Sequence, residues 1–352
     1  MTRSNAHNLH NLTRAEVVFL LAEWGYTEYY AGKIWEQLYR DFIDRLDLFN
    51  LQRSDLRALL QQNAALTHLQ LSQKVQSNDG LATKYLFSMS DGETVESVLM
   101  HYSGRATACI STQAGCAMGC VFCATGQMGF VRHLQPGEIV GQVMRIISEL
   151  RVQDKRLRNV VLMGMGEPLH NYDATMTAID IMTDHHGLAI GPRYITLSTV
   201  GIPPAIRRIA DERHSFNLAV SLHAATDDER RRLVPTGRKW SISDLIGACR
   251  YYIDKLDRRV FFEWALISGQ NDTPEQANAL GMLLQNLNAH VNLIPLNQTT
   301  EYYGNPSDKE AATMFQSILA KYGLPSTIRQ RRGLDIGAGC GQLRTNFETK
   351  AD

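Results

Sequence analysis

Nothing in the 352-residue sequence approaches the roughly 20 consecutive apolar residues that a membrane-spanning helix needs. The N-terminus, "MTRSNAHNLHNLTRAEVVFLLAEWGY", holds only the short apolar piece "VVFLLA", which reads as one face of a helix and not as a signal peptide. These two absences point to a cytoplasmic protein. Net charge is lacking too, with 36 Lys+Arg against 36 Asp+Glu. That balance argues against tight binding of duplex nucleic acid through phosphates alone, while leaving open a folded or single-stranded RNA. Cysteine is scarce, six in all, too few for a disulfide framework in a chain this long. Where thiols are kept reduced, clustered cysteines favour metal or redox chemistry instead.

Length allows two domains or one α/β barrel. Residues 13–64 carry helical patterns. "TRAEVVFLLAEWGY" opens with Thr13 and Glu16 spaced as a capping box. "AGKIWEQLYRDFIDRLDLF" places Ile34, Leu38, Phe42, Ile43 and Leu46 at amphipathic spacing, and "SDLRALLQQN" begins at Ser54 as its expected cap. Strand-like pieces follow near 66–75 and at "TKYLFSM". The expectation is a small helical accessory domain over residues 1–85, followed by a second domain over 86–352.

In that second part the pattern alternates. "TVESVLMHY" is a strand with Glu96, Val98 and Met100 on one face, and that face is expected to look inward. An inward carboxylate with no cationic neighbour evident from sequence is a candidate for a raised pKa and acid–base work. Strand candidates "RATACIST", "RNVVLMGM", "RYITLSTV", "FNLAVSLHA", "RVFFEWALI" and "HVNLIPLN" are separated or followed by helical segments. Six such units imply a parallel sheet covered by helices. They are too few for a closed eight-fold barrel, so a partial (β/α)6 barrel is expected, with a doubly wound open sheet as the alternative. Polar and glycine-rich pieces follow five consecutive strands: "GMGEP", "STVG", "SLHA", "SGQND" and "PLNQT". Parallel α/β folds build sites at the carboxyl ends of strands, so these five point to one shared site.

Four cysteines lie in "TACISTQAGCAMGCVFCAT": Cys109, and then Cys116, Cys120 and Cys123 on a loop after the first barrel strand. Structural zinc sites want four ligands and four-iron clusters normally take four cysteines. Three close thiolates would leave one iron without a protein ligand. The Cys-x3-Cys-x2-Cys spacing, with Phe122 inside it, resembles the radical S-adenosylmethionine (SAM) superfamily. That resemblance implies a [4Fe-4S] cluster whose open iron takes the amino and carboxylate groups of SAM. "GMGEP" is similar to the superfamily's GGE motif, which makes Gly166 and Glu167 candidate SAM ligands.

Cys340 stands among four glycines in "RRGLDIGAGCGQLRTNF", a segment expected to be mobile, whereas Cys249 in "SDLIGACRYYI" reads as packing. Cys109, the cluster loop, "GMGEP" and "GCGQLR" together resemble the RlmN/Cfr family of RNA adenine methyltransferases over almost the whole chain. On that resemblance Ser198, Ser221, Leu222, His223 and Asn297 join the SAM site. The adenine carbon that the family methylates is not a nucleophile, so simple displacement of the SAM methyl is closed. In the family, the counterpart of Cys340 takes a methyl from one SAM. A second SAM, reductively cleaved, yields the 5′-deoxyadenosyl radical that removes a hydrogen from that methyl. The carbon radical adds to adenine, the counterpart of Glu96 takes the ring proton, and that of Cys109 attacks the methylated sulfur. Methyladenine leaves and a disulfide remains.

The resemblance implies a target in the peptidyl-transferase region of 23S rRNA, with tRNA as a further target of some members. It also implies an electron donor such as flavodoxin or ferredoxin, and a monomer. Arginine clusters at 207–209, 230–232, 237–239 and 329–332 become candidate RNA contacts. Carbon 2 is the expected position, carbon 8 the alternative. The rival classes are a non-catalytic iron–sulfur RNA-binding or redox module and a zinc-stabilised RNA-binding protein.

Overall fold

One twisted sheet of ten strands organises residues 6–344, the part of the chain that the computed structural model describes. Its strands are β1 (Gln70–Gln76), β2 (Ala82–Ser88), β3 (Thr94–Tyr102), β4 (Arg105–Cys109), β5 (Leu157–Leu162), β6 (Ile195–Thr199), β7 (Asn217–Ser221), β8 (Val260–Leu266), β9 (Ala289–Pro295) and β10 (Ser326–Ile328). Their order across the sheet is their order along the chain. β1 to β4 pair antiparallel, and β4 to β10 pair parallel. A doubly wound sheet needs a point where strand order reverses. None occurs here, which removes that alternative. β1 and β10 remain as separate edges, so the parallel strands form an open, partial barrel.

The chain alternates for ordinary reasons. β8 reads VFFEWAL with every residue but Phe261 buried, the pattern of a strand covered on both faces. Helices α1 to α10 are Arg14–Glu23, Glu28–Tyr39, Ser54–Asn63, Pro136–Val152, Tyr172–Thr183, Pro203–Asp211, Asp227–Leu233, Ile242–Leu256, Pro274–Leu284 and Lys309–Lys321. Side-chain acceptors start several of them: Ser241 caps α8, Thr273 caps α9 and Asp308 caps α10. Among the described residues no helix is long and apolar enough to cross a membrane.

The N-terminal helices form as the spacing predicts, including the reciprocal Thr13–Glu16 capping box. Three details differ. α2 stops at Tyr39 and Phe42 takes a left-handed φ of 58°, so the helix does not run on through Leu46. α3 begins at Ser54 with Arg53 in the cap position, so Ser54 does not act as a cap. The boundary expected at residue 85 falls inside β2, where Tyr85 pairs with Ser97 of β3; the main sheet therefore begins at Gln70. The helical segment is fastened to the ends of α4 and α5. Trp35 is fully buried and its indole N–H donates to Asp184 at 2.9 Å, while Arg40 donates to the His185 carbonyl and Arg151 to that of Arg40.

Trp35→Ala is expected to cost about 3–5 kcal/mol in urea unfolding, as removal of a fully buried ring does. Trp35→Phe keeps most of the packing and should cost about 1–3 kcal/mol for the donor lost to buried Asp184. Hydrogen exchange on the same variants is expected to quicken in α1–α3 before the parallel strands.

Candidate active site

Two cavities occupy the barrel, one above the other. The upper lies at the carboxyl ends of the parallel strands and the lower runs through their amino-terminal half. The upper one is roofed by the loop after β4, whose base is closed by pairing of Gln113–Gly115 with Phe130–His133. Cys116, Cys120 and Cys123 all line this cavity. Burial pushes the Cys116 thiol up to about 12 and raises Cys120 and Cys123 as well. Such thiols stay neutral unless a bound metal supplies positive charge, and coordination deprotonates them.

Among the described residues no set of three or more His, Cys, Asp or Glu side chains is gathered to hold a single ion. One zinc would need its sulfurs drawn to about 2.3 Å of a common centre. A four-iron cluster instead seats each thiolate on its own iron. Three cysteines placed around one cavity fit the cluster.

Gly166 and Glu167 follow β5 at the edge of the cavity. Gly166 has φ +102°, and a Cβ there would sit 2.6 Å from the Cβ of Gln113. Only glycine allows this approach. The Gln113 side-chain Oε1 accepts the Glu167 N–H at 2.8 Å, and its Nε2 lies 3.0 and 3.1 Å from Nδ1 of His133 and His170. The Glu167 carboxyl accepts from Leu169 N–H and Val200 N–H, and burial pushes it up to about 7. Ser198, Ser221, His223 and Asn297 line the same cavity. His223 accepts the Ala265 N–H on Nδ1, and burial lowers it to about 3, so its ring stays neutral. Leu222 points instead into the core, fully buried, with its N–H donated to the Glu263 carbonyl.

The lower cavity, about 370 Å³, is lined by apolar side chains such as Val98, Met100, Val161 and Phe261 together with the polar Thr107, Asn159, Thr196, Asn217 and Asn292. Arg105 and Arg332 lie at its amino-terminal mouth, 4.9 and 4.4 Å from the centre of the Tyr102 ring, and Arg329 and Arg331 also line it. Cys109 lines the lower cavity only; Cys340 lines both. Both are free thiols. Burial pushes each up to about 12, and a charge on Cys340 would raise Cys109 further. Cys340 is nevertheless the exposed cysteine.

The segment around Cys340, expected to be mobile, is pinned on both sides. Its carbonyl accepts from Asn297 at 3.0 Å, Gly341 accepts from Ala124 N–H at 2.7 Å, and Leu343 accepts from the Thr125 hydroxyl at 2.6 Å.

Glu96 lines neither cavity. It sits fully buried beneath this segment and accepts the Arg344 N–H at 2.9 Å. Lys84 of β2 lies 3.2 Å from its Oε1, a cationic neighbour that sequence did not reveal. Burial outweighs that attraction and pushes the carboxyl up to about 7. Sequence reading also missed Glu263, which lies where the two cavities meet and is held by Asn292 at 2.7 Å. The one available signal was a lone carboxylate within the apolar β8.

Fold and site together define a radical SAM enzyme, and residues 110–278 match the model of the Radical SAM superfamily. The chain is 54% identical over 351 residues to the dual-specificity RNA methyltransferase RlmN 1 of Myxococcus xanthus, covering 100% of this chain and 98% of that protein. It is 42% identical to the ribosomal RNA large subunit methyltransferase N of Nitrosopumilus maritimus, with 97% and 99% covered. A crystal structure of a radical SAM methyltransferase from Sphaerobacter thermophilus superposes with TM-score 0.92 at 44% identity, over 97% of this chain and all of that one. The chain belongs to the RlmN family of radical SAM RNA methyltransferases.

The raised Glu96 carboxyl yields a pH prediction. Its folded value, about 7, lies above the ordinary 4.5, so the folded protein binds more protons than the unfolded one between them. Glu96 therefore makes stability fall as pH rises through that window, by up to roughly 3 kcal/mol. Glu96→Gln should lose this slope and gain on the wild type as pH rises, in paired unfolding curves; a difference that does not vary with pH contradicts the assignment.

Proposed function

We propose that the protein methylates carbon 2 of an adenine in the peptidyl-transferase region of 23S rRNA, and of tRNA in addition. Cys340 carries the methyl. The observation that supports this reading is the position of Cys340 in the wall common to the two cavities. SAM belongs in the upper one, with Gly166, Glu167, Ser198, the Ser221–His223 backbone and Asn297 around it. Among the described residues no cation lies beside the Glu167 carboxyl, and the ammonium of SAM would supply one. Asn297 uses its amide on Cys340 and keeps a buried, unpartnered Oδ1 for a ligand. When bound by Cys116, Cys120 and Cys123, a [4Fe-4S] cluster supplies the electron that cleaves SAM reductively.

The target base, unstacked from its RNA, enters the lower cavity past the arginines at the mouth, as enzymes acting on a base edge require. Cys340 gives up its proton and takes a methyl from a first SAM; a second SAM serves the radical step, so two are used per turnover. Glu96, poised near neutral, is the proton acceptor on this reading. Its burial away from both cavities makes it a partner reached once the Cys340 segment shifts. Cys109 attacks the sulfur of Cys340, forming the S–S bond as the C–S bond breaks; the released methylene carbon takes up a proton to become the methyl, and the unpaired electron of the adduct would return to the bound cluster. The Cys109 thiol must lose its proton first, and a dithiol reductant restores the pair afterwards. The protein works as a cytoplasmic monomer, with flavodoxin or ferredoxin as electron donor, and the N-terminal helices grip the RNA.

Purification without oxygen should give a brown protein and a methyl mass on the Cys340 peptide; a host supplying iron and SAM that yields no methylated peptide sinks the reading. Cys340→Ala should abolish product. Cys109→Ala should leave RNA attached to Cys340 through the methylene, seen as a crosslinked species by gel and mass spectrometry. Loss of 2-methyladenosine from the RNA of a deletion strain is expected, and loss of 8-methyladenosine instead would move the assignment to carbon 8.

A further inference from the structure

Arg230 opens the run "RRR" in α7, yet it does not share the surface with its neighbours. Arg231 and Arg232 are exposed, whereas Arg230 is 1% exposed and cannot touch RNA. One guanidinium N–H donates to the Val200 carbonyl, and the buried Nε has no acceptor. Among the described residues no carboxylate forms an ion pair with it. Asp227, on the same helix, attracts it from a distance while accepting the Ile242 N–H at 2.7 Å. A buried, unpaired guanidinium is costly unless an anion completes the site.

The missing anion has an evident place. The end of α7 is bonded to the cysteine loop, with Val121 N–H donating to the Leu233 carbonyl at 3.1 Å, and Cys120 packs beside Leu233 and Val234. Arg230 is not part of the wall of the upper cavity, so it would act on a cluster held there through space and not by contact.

We propose that Arg230 is the fixed counter-charge of the iron–sulfur cluster, raising its reduction potential through the field of a buried guanidinium and not by contact. This rests on the reading of Cys116, Cys120 and Cys123 as cluster ligands. Reduction adds an electron to a site already holding three thiolates, and a nearby permanent positive charge stabilises that added charge in a low-dielectric interior. Arg230 is thus a positioning residue for charge.

The test is a redox titration of the full-length, anaerobically reconstituted protein, followed by the electron paramagnetic resonance signal of the reduced cluster. Neither SAM nor RNA is present, so failure of the methyl-transfer reading leaves the measurement intact. Arg230→Met should make the cluster at least tenfold harder to reduce, a fall of about 59 mV for one electron. Arg230→Lys, which keeps the charge, should restore most of that shift. An Arg230→Met midpoint equal to the wild type, at full iron content, overturns the proposal. Should the neutral variant not assemble its cluster, Cys249→Asp puts a carboxylate near the intact guanidinium, since Cys249 is buried and senses its charge. That variant should also lower the midpoint, and an unchanged value overturns the proposal equally. A wild-type protein that takes up no iron overturns both the role of Arg230 and the cluster reading beneath it.

Discussion

Four hydrogen bonds to one irregular segment hold the functional geometry together. Ala124 and Thr125, immediately after the last cysteine of the loop, bind the carbonyls of Gly341 and Leu343; Asn297 binds that of Cys340; Glu96 receives the Arg344 N–H. The partners come from the cysteine loop, from the end of β9 and from β3, so the segment is fixed from three directions at once. Cys340 is thereby held in the wall between two cavities, although no regular element carries it. Backbone carbonyls in such a loop need partners, and here the site itself provides them.

The sheet supplies the rest. Because strand order never reverses, the carboxyl ends of the six parallel strands β4 to β9 face one space, and the antiparallel β3 brings Val98 into register with Cys109. Closed barrels usually fill their interior with branched apolar side chains. This open one places Thr107, Asn159, Thr196, Asn217 and Asn292 in its lower half, and the result is a cavity instead of a packed core. The two chambers suit two different ligands, one beneath the cysteine loop and one approached past arginines.

Much of this was legible in the residues, and the limits have physical causes. Apolar strands alternating with capped helices declare a parallel α/β fold because burial on both faces leaves no other composition. The three-cysteine spacing and the polar pieces after each strand declare where chemistry sits. The boundary drawn after residue 85 crosses β2, because only the pairing of β2 with β3 shows that β1 and β2 extend the main sheet. Phe42 fits a helical stripe, yet its backbone turns left-handed to end α2. Lys84 was invisible as the neighbour of Glu96 because cross-strand pairing depends on register. Arg230 was counted among the candidate RNA contacts because three consecutive arginines look alike until a helix turns one of them inward.

The central claim is that the methyl reaching adenine rests first on Cys340. It is tested most directly by loading Cys340 with a carbon-13 methyl from labelled SAM, exchanging the protein into unlabelled SAM, and allowing a single turnover with RNA. The account predicts that the methyladenine released carries the carbon-13 label. Unlabelled methyladenine, with the label still on the Cys340 peptide, would contradict it.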